Sequence, residues 1–206
     1  MSLVVQKPQH QALVQSSGPR KVKRTSSLVA PIVLLSGHGH PVLSCKFAPS
    51  GDLMVSGDSK GRVFLWNIQN NTNLALLDQH KGSITRLQWS KDSTSFFSAS
   101  HDSRLLMWDA ETRERTRKFE AHTSLINDCA LSPSSNQLLA SVCDGGDLFV
   151  WSKHEKAPIM NINHQYPLTS VSWSLDGNSV FIGKTLFLDS AFLNGIRWHR
   201  KHNLQL

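Results

Sequence analysis

His80, Ser100 and Asp102 are the residue types of a general base, a nucleophile and the carboxylate that orients a base. Read alone, they describe a hydrolase. A nucleophile must face a cleft beside donors for an oxyanion, however, and histidine recurs at 38, 80, 122 and 164, a step of 42 residues each time. A side chain repeated at one position of a repeated unit is expected to be a structural part. One histidine per unit also spreads the four too widely to converge on a metal ion. Trp89 and Trp173 could stack on bases, but they share the 42-residue register of Phe47 and Leu131, which marks a core position. Gly177 to Thr185 resembles a phosphate loop, yet five residues separate Gly177 from Gly183 where that loop has four, and Gly177 sits in a repeated strand-to-strand turn. The three cysteines, Cys45, Cys129 and Cys143, are an odd set without a CxxC or a histidine cluster at zinc spacing, and read as small buried hydrophobes. The chain is therefore expected to carry no catalytic, cofactor or metal residues, and no small-molecule substrate.

The elements that position these residues follow from the period. Each unit holds four short apolar runs with two-residue alternation, punctuated by turn residues such as Ala48-Pro49-Ser50-Gly51-Asp52 and Ser174-Leu175-Asp176-Gly177-Asn178. In the second unit the strands are expected at 84–89, 95–100, 105–109 and 116–120. The first unit gives 42–47, 53–56, 62–67 and 73–77, and the third 126–131, 137–142, 147–152 and 158–163. A fourth unit starts with 168–173 and 179–182, then loses the pattern after Gly183. Trp66 and Trp108 are 42 apart and Trp151 follows at 43, which suggests one extra residue at Gly145-Gly146.

The net charge of +7 lies at the ends. Residues 1–30 carry +5, residues 184–206 carry +3, and residues 31–183 carry −1. A nearly neutral body argues against a basic groove for direct nucleic-acid reading, so RNA contact is expected to be indirect or through the basic ends. The leader, residues 1–30, lacks apolar periodicity and reads as disordered; its Arg20, Lys21, Lys23 and Arg24 form a candidate nuclear-import run. No apolar run is long enough to span a membrane, and none opens the chain as a signal peptide, so no membrane partner is expected.

Four-stranded units of about 42 residues, with a histidine before the first strand and a tryptophan in the third, resemble the WD-repeat β-propeller. The resemblance implies an all-β, incomplete propeller: three full four-stranded blades (38–79, 80–121, 122–163) and about half of a fourth (164–183). This fragment spans 31–183 and is followed by a non-repeat basic tail, 184–206. It further implies that His80, Ser100, Asp102 and Trp108 form a hydrogen-bonded structural tetrad, Trp donating to Ser, Ser to His and His to Asp. The other blades depart from the pattern. In the first, His38 and Trp66 are in place but Lys60 stands at the Asp position, leaving Asp58 as an imperfect substitute. In the third, His122, Asp144 and Trp151 remain, with Val142 where Ser is expected.

Several runs, including Ala30 to His38, Trp108 to Arg115 and Ala121 to Asn127, are similar to one subfamily, the WD-repeat subunits of the U5 small nuclear ribonucleoprotein of the spliceosome. That resemblance implies a non-enzymatic nuclear scaffold binding protein partners in a multi-subunit complex in pre-mRNA splicing, with the cytoplasm as a second location. The alternatives are a WD-repeat adaptor elsewhere, such as a ubiquitin-ligase substrate receptor or signalling scaffold, and a truncated product without function. Propellers of this kind close with about seven blades, roughly 300 residues, so a truncated chain with an exposed sheet edge is expected. A four-bladed closure, with 185–189 as third strand of the last blade and 32–35 as its fourth, is the alternative.

Overall fold

A computed structural model describes residues 20–21, 33–184 and 192–197. The chain falls into two units, Met1–Ser36 and Gly37–Leu206. In the first, β1 (Arg20–Lys21) pairs antiparallel with β2 (Val33–Leu34). Of the basic run, Arg20 and Lys21 lie in β1, whereas Lys23, Arg24 and the rest of the leader before Val33 fall outside the described residues.

The second unit holds four antiparallel meanders. The first is β3 (Val42–Phe47), β4 (Leu53–Asp58), β5 (Arg62–Asn67) and β6 (Thr72–Asp78); the second is β7 (Ile84–Trp89), β8 (Ser95–Ser100), β9 (Leu105–Asp109) and β10 (Arg115–Phe119). The third is β11 (Ile126–Leu131), β12 (Leu138–Cys143), β13 (Asp147–Ser152) and β14 (Pro158–Asn163); the fourth is β15 (Leu168–Trp173), β16 (Ser179–Lys184) and β17 (Phe192–Arg197). No helix is assigned among the described residues, and hence none long and apolar enough to cross a membrane. β17 comes from the stretch expected to be a non-repeat tail, and it pairs in register with β16 from Ser179↔Arg197 to Lys184↔Phe192. The fourth sheet therefore has three strands where two were expected. Residues 185–189, the third strand of the alternative closure, lie outside the described residues.

Alternation sets which side chains face which neighbour. Val55, Val63 and Leu65 of the first sheet share a core with Leu87, Trp89, Phe96 and Trp108 of the second. Phe97, Ala99 and Leu105 meet Cys129, Leu139, Phe149 and Trp151 of the third, and Ala140, Val142, Leu148 and Val150 meet Val171, Trp173, Val180 and Ile182 of the fourth. The indole N–H of Trp89 donates to the Lys46 carbonyl at 3.0 Å and that of Trp173 to the Ala130 carbonyl at 2.9 Å, so two of the three junctions are pinned the same way. Each sheet thus covers the one before it.

The first sheet shows what happens without a predecessor. Phe47, at the position of Trp89 (6% exposed) and Trp173 (8%), is 58% exposed, and Cys45 beside it is exposed too. At the far end Phe181 of β16 is exposed, whereas Phe97 and Ala140 at its position in earlier sheets are fully buried. Among the described residues the row of sheets does not close.

The turns carry the left-handed backbone that antiparallel connections demand. Gly61, between β4 and β5, has φ +84°, and a Cβ there would lie 2.6 Å from the His80 carbonyl oxygen and 2.7 Å from that of Gly82. A turn of the first sheet therefore nests against the loop that carries the histidine of the second.

Candidate functional site

The residues that look catalytic meet inside each of the first three sheets around one serine, and in the second sheet that serine is Ser98. It is the fourth residue of β8 and fully buried. Its Oγ accepts the indole N–H of Trp108 at 2.8 Å and donates to His80 Nε2 at 2.7 Å. His80 Nδ1–H donates to Asp102 Oδ2 at 2.9 Å. With a neutral imidazole these proton directions follow, because an indole only donates, a carboxylate only accepts and the hydroxyl has one hydrogen. Asp102 also accepts the backbone N–H groups of Lys81 (2.9 Å) and Arg104 (3.1 Å). Burial raises its pKa, but the His80 hydrogen bond and charge with those two N–H groups overcome this and hold the carboxyl below its ordinary range.

Ser100, expected at the hub, is elsewhere. Its Oγ donates to the Gly82 carbonyl at 2.9 Å and accepts the Asp102 N–H at 3.1 Å, bracing the turn. Alternation explains the displacement: Ser98 and Ser100 point to the same face, but only Ser98 lies opposite Leu106, two residue pairs along from Phe96↔Trp108 and so beside Trp108 on that face. A legible signal was present, since Ser56, Ser98 and Ser141 each stand ten residues before a tryptophan.

The first sheet has the same relay complete, contrary to the expectation of a damaged one. Trp66 Nε1–H donates to Ser56 Oγ at 2.7 Å, Ser56 to His38 Nε2 at 2.6 Å, and His38 Nδ1–H to Asp58 Oδ2 at 3.1 Å. Asp58 sits two residues after the hub serine, not four, and its fully buried side chain also accepts from Lys60 N (2.9 Å), Arg62 N (3.1 Å) and Arg62 Nε (2.9 Å). Lys60, which stands where Asp102 stands in the second sheet, contributes only its backbone N–H. Burial raises the Asp58 pKa, and its bonds from His38, Lys60 and Arg62 bring it below the ordinary value.

The third sheet has a hub and no acid. Trp151 Nε1–H donates to Ser141 Oγ at 2.8 Å, and Ser141 lies 2.7 Å from His122 Nε2. The serine is thus Ser141, not the Val142 position. Asp144 does not reach the histidine: its Oδ1 accepts from Asn127 Nδ2 at 2.6 Å. His122 Nδ1 is buried and has no hydrogen-bond partner. Burial, only partly opposed by the charge of Asp147, pushes the His122 pKa down to about 4. The extra residue of this unit is not at Gly145-Gly146 either. The β11–β12 connection, 132–137, is one residue longer than 48–52 and 90–94, whereas hub to tryptophan stays constant. In the fourth sheet Ile182 takes the hub position, and His164 Nε2 has no hydrogen-bond partner.

Chemically, a Ser–His–Asp relay with its proton directed as in a hydrolase is present twice. Ser98 has no exposed surface, however, and its oxygen already accepts an indole N–H, so no substrate carbonyl can approach it. A second buried polar group joins sheets: Asp128, 3% exposed, accepts Arg86 Nε at 2.6 Å and Nη2 at 3.2 Å, and the Val171 N–H at 3.1 Å. It ties β7, β11 and β15.

Comparison with known proteins follows this geometry. The family profile described as "WD domain, G-beta repeat" (WD40) matches residues 30–67, 71–109 and 113–152, more than half of the chain and one match for each relay of hub, histidine and tryptophan. The chain belongs to the WD40 family. Its sheets are WD40 blades, and the row is an incomplete β-propeller. Among curated relatives, the Pre-mRNA-splicing factor cwf17 of Schizosaccharomyces pombe is 37% identical over 163 residues, 79% of this chain and 48% of the relative. The U5 small nuclear ribonucleoprotein 40 kDa protein of Dictyostelium discoideum is 32% identical over 176 residues (83% and 50%). That of Homo sapiens is 35% identical over 173 residues (84% and 47%). The chain spans about half the length of the curated relatives it matches.

Proposed function

We propose that this chain is a non-catalytic protein-interaction scaffold of a small nuclear ribonucleoprotein, acting in pre-mRNA splicing in the nucleus. The observation that carries the reading is that relatives 32–37% identical over about four-fifths of the chain bear splicing names. The blades agree with it: their conspicuous serines, histidines and acids are consumed in holding sheets together, and exposed apolar residues such as Phe47 and Phe181 remain for protein partners. The basic end regions, with Arg20, Lys21, Lys23 and Arg24, provide the nuclear address and any RNA contact.

Affinity purification of the tagged chain from nuclear extract tests this. Co-recovery of U5 small nuclear RNA with splicing proteins is expected. Recovery of ubiquitin-ligase or signalling components without splicing proteins would overturn the reading in favour of an adaptor elsewhere.

A further inference from the structure

The third blade differs from the first two at three positions counted from its hub serine. Two residues on stand Asp58, Ser100 and Cys143; four on, Lys60, Asp102 and Gly145; six on, Arg62, Arg104 and Asp147. In the first two blades these positions supply a carboxylate to the histidine and an arginine nearby. In the third they supply a thiol, no side chain and a carboxylate, so a cation has been exchanged for an acid next to a histidine whose Nδ1 has nothing to bond.

We propose that this turn of the third blade is a site for a zinc-like divalent ion, ligated by His122, Cys143 and Asp147. One ligand atom from each lies within 4.8 Å of the others. Zinc bonds of about 2.0–2.3 Å bring tetrahedral ligands to roughly 3.3–3.8 Å of one another, so side-chain movements of about 1 Å complete the set. His122 is 8% exposed, its Nε2 is fixed on Ser141, and the free ring nitrogen is therefore Nδ1. Cys143 is fully buried and its thiol points at Asp147 Oδ2, 3.7 Å away. Asp147 Oδ1 accepts Asn163 Nδ2 at 2.7 Å, an outer contact of the kind that orients a ligating carboxylate. Gly145 lies beside the site: a Cβ there would stand 3.6 Å from Asp147 Oδ2, an ordinary contact distance.

The donor set decides the class of ion. Thiolate and imidazole favour zinc and its neighbours, whereas magnesium and calcium require oxygen shells. Three protein ligands leave a fourth position for water. Binding releases the Cys143 thiol proton, so uptake strengthens as pH rises. The site is independent of the splicing reading, since it concerns only the stability and chemistry of one blade.

The test uses the full chain, reduced and freed of metal with a chelator, then loaded with Zn²⁺ or Co²⁺ and dialysed. About one equivalent of bound zinc by elemental analysis and a thiolate-to-cobalt charge-transfer band are expected. The band should vanish in Cys143→Ser and persist in Cys45→Ser, which removes the exposed thiol. Should Cys143→Ser fail to fold, Asp147→Asn decides, with at least tenfold weaker zinc binding expected. Less than a tenth of an equivalent of zinc, a band that survives Cys143→Ser or is lost in Cys45→Ser, or unchanged affinity in Asp147→Asn would each overturn the proposal.

Discussion

Gly145→Asp should stabilise the third blade, because it returns a carboxylate to the position from which Asp102 bonds His80 in the second. The native third blade leaves His122 Nδ1 buried and unpartnered. A hydrogen bond to a charged group contributes about 1.5–3 kcal/mol net, and replacing glycine where the backbone permits adds about 0.4–1 kcal/mol by restricting the unfolded chain. Gly145 is not among the positive-φ glycines, and the nearest neighbour of a new Cβ, Ser124 Cβ at 3.3 Å, requires only a few tenths of an ångström of relief. The like charges of Asp144 and Asp147 take back about 1–2 kcal/mol. The expected balance is a gain of about 1 kcal/mol. Urea denaturation in chelator at neutral pH measures it, with Gly145→Ala as the reference that has the chain restriction without the carboxylate. If the Asp variant is no more stable than the Ala variant, the unpartnered histidine carries no cost and the reasoning fails.

Asp58→Ala should lower the melting temperature at least as much as Asp102→Ala, because Asp58 is fully buried and accepts from His38, Lys60 and Arg62; a clearly smaller effect would show that the first relay is not intact. Gly61→Ala should cost about 2 kcal/mol or more in urea denaturation, since φ +84° and the His80 carbonyl at 2.6 Å both oppose a methyl group, and a cost under about 0.5 kcal/mol would contradict the nesting of turn on loop. The acid limb follows from the depressed Asp102 pKa: the stability this carboxylate contributes is present above its unfolded value of about 3.9 and lost as pH falls through its lower folded value. The stability difference between the native chain and Asp102→Asn should accordingly stay constant from pH 8 to 5 and shrink below about 4; a difference that shrinks already between pH 7 and 5 would assign the effect to another group.

Strand positions were legible because two-residue alternation and turn residues are local signals, and strands such as Ile84–Trp89 and Arg62–Asn67 form where the pattern puts them. β17 was not, because Phe192–Arg197 lacks the tryptophan and the turn aspartate by which the other third strands announce themselves. The relay joins His80 and Trp108, as the 42-residue period implies, through Ser98 and not Ser100. Ser98 and Ser100 are equivalent by type and by face, and only the cross-strand register with Trp108 separates them. Counting back from Trp66 undervalues Asp58, because it assumes that the carboxylate reaches His38 from one fixed place, whereas the first turn lets it reach from two residues nearer the hub. The neighbourhood of His122, Cys143 and Asp147 carries no ligand spacing in sequence, since folding brings a residue before β11 next to two that flank the β12–β13 turn.

The central claim is that the catalytic-looking residues are spent on holding blades together around Ser98, and paired urea denaturation of Ser98→Ala and Ser100→Ala tests it most directly. Removing the Ser98 hydroxyl strips partners from two buried groups, Trp108 Nε1 and His80 Nε2, at about 1–3 kcal/mol each, whereas Ser100→Ala removes one turn brace at about 1 kcal/mol. The account predicts a loss of about 2–6 kcal/mol for Ser98→Ala and a clearly smaller one for Ser100→Ala; equal losses, or the reverse order, would contradict it.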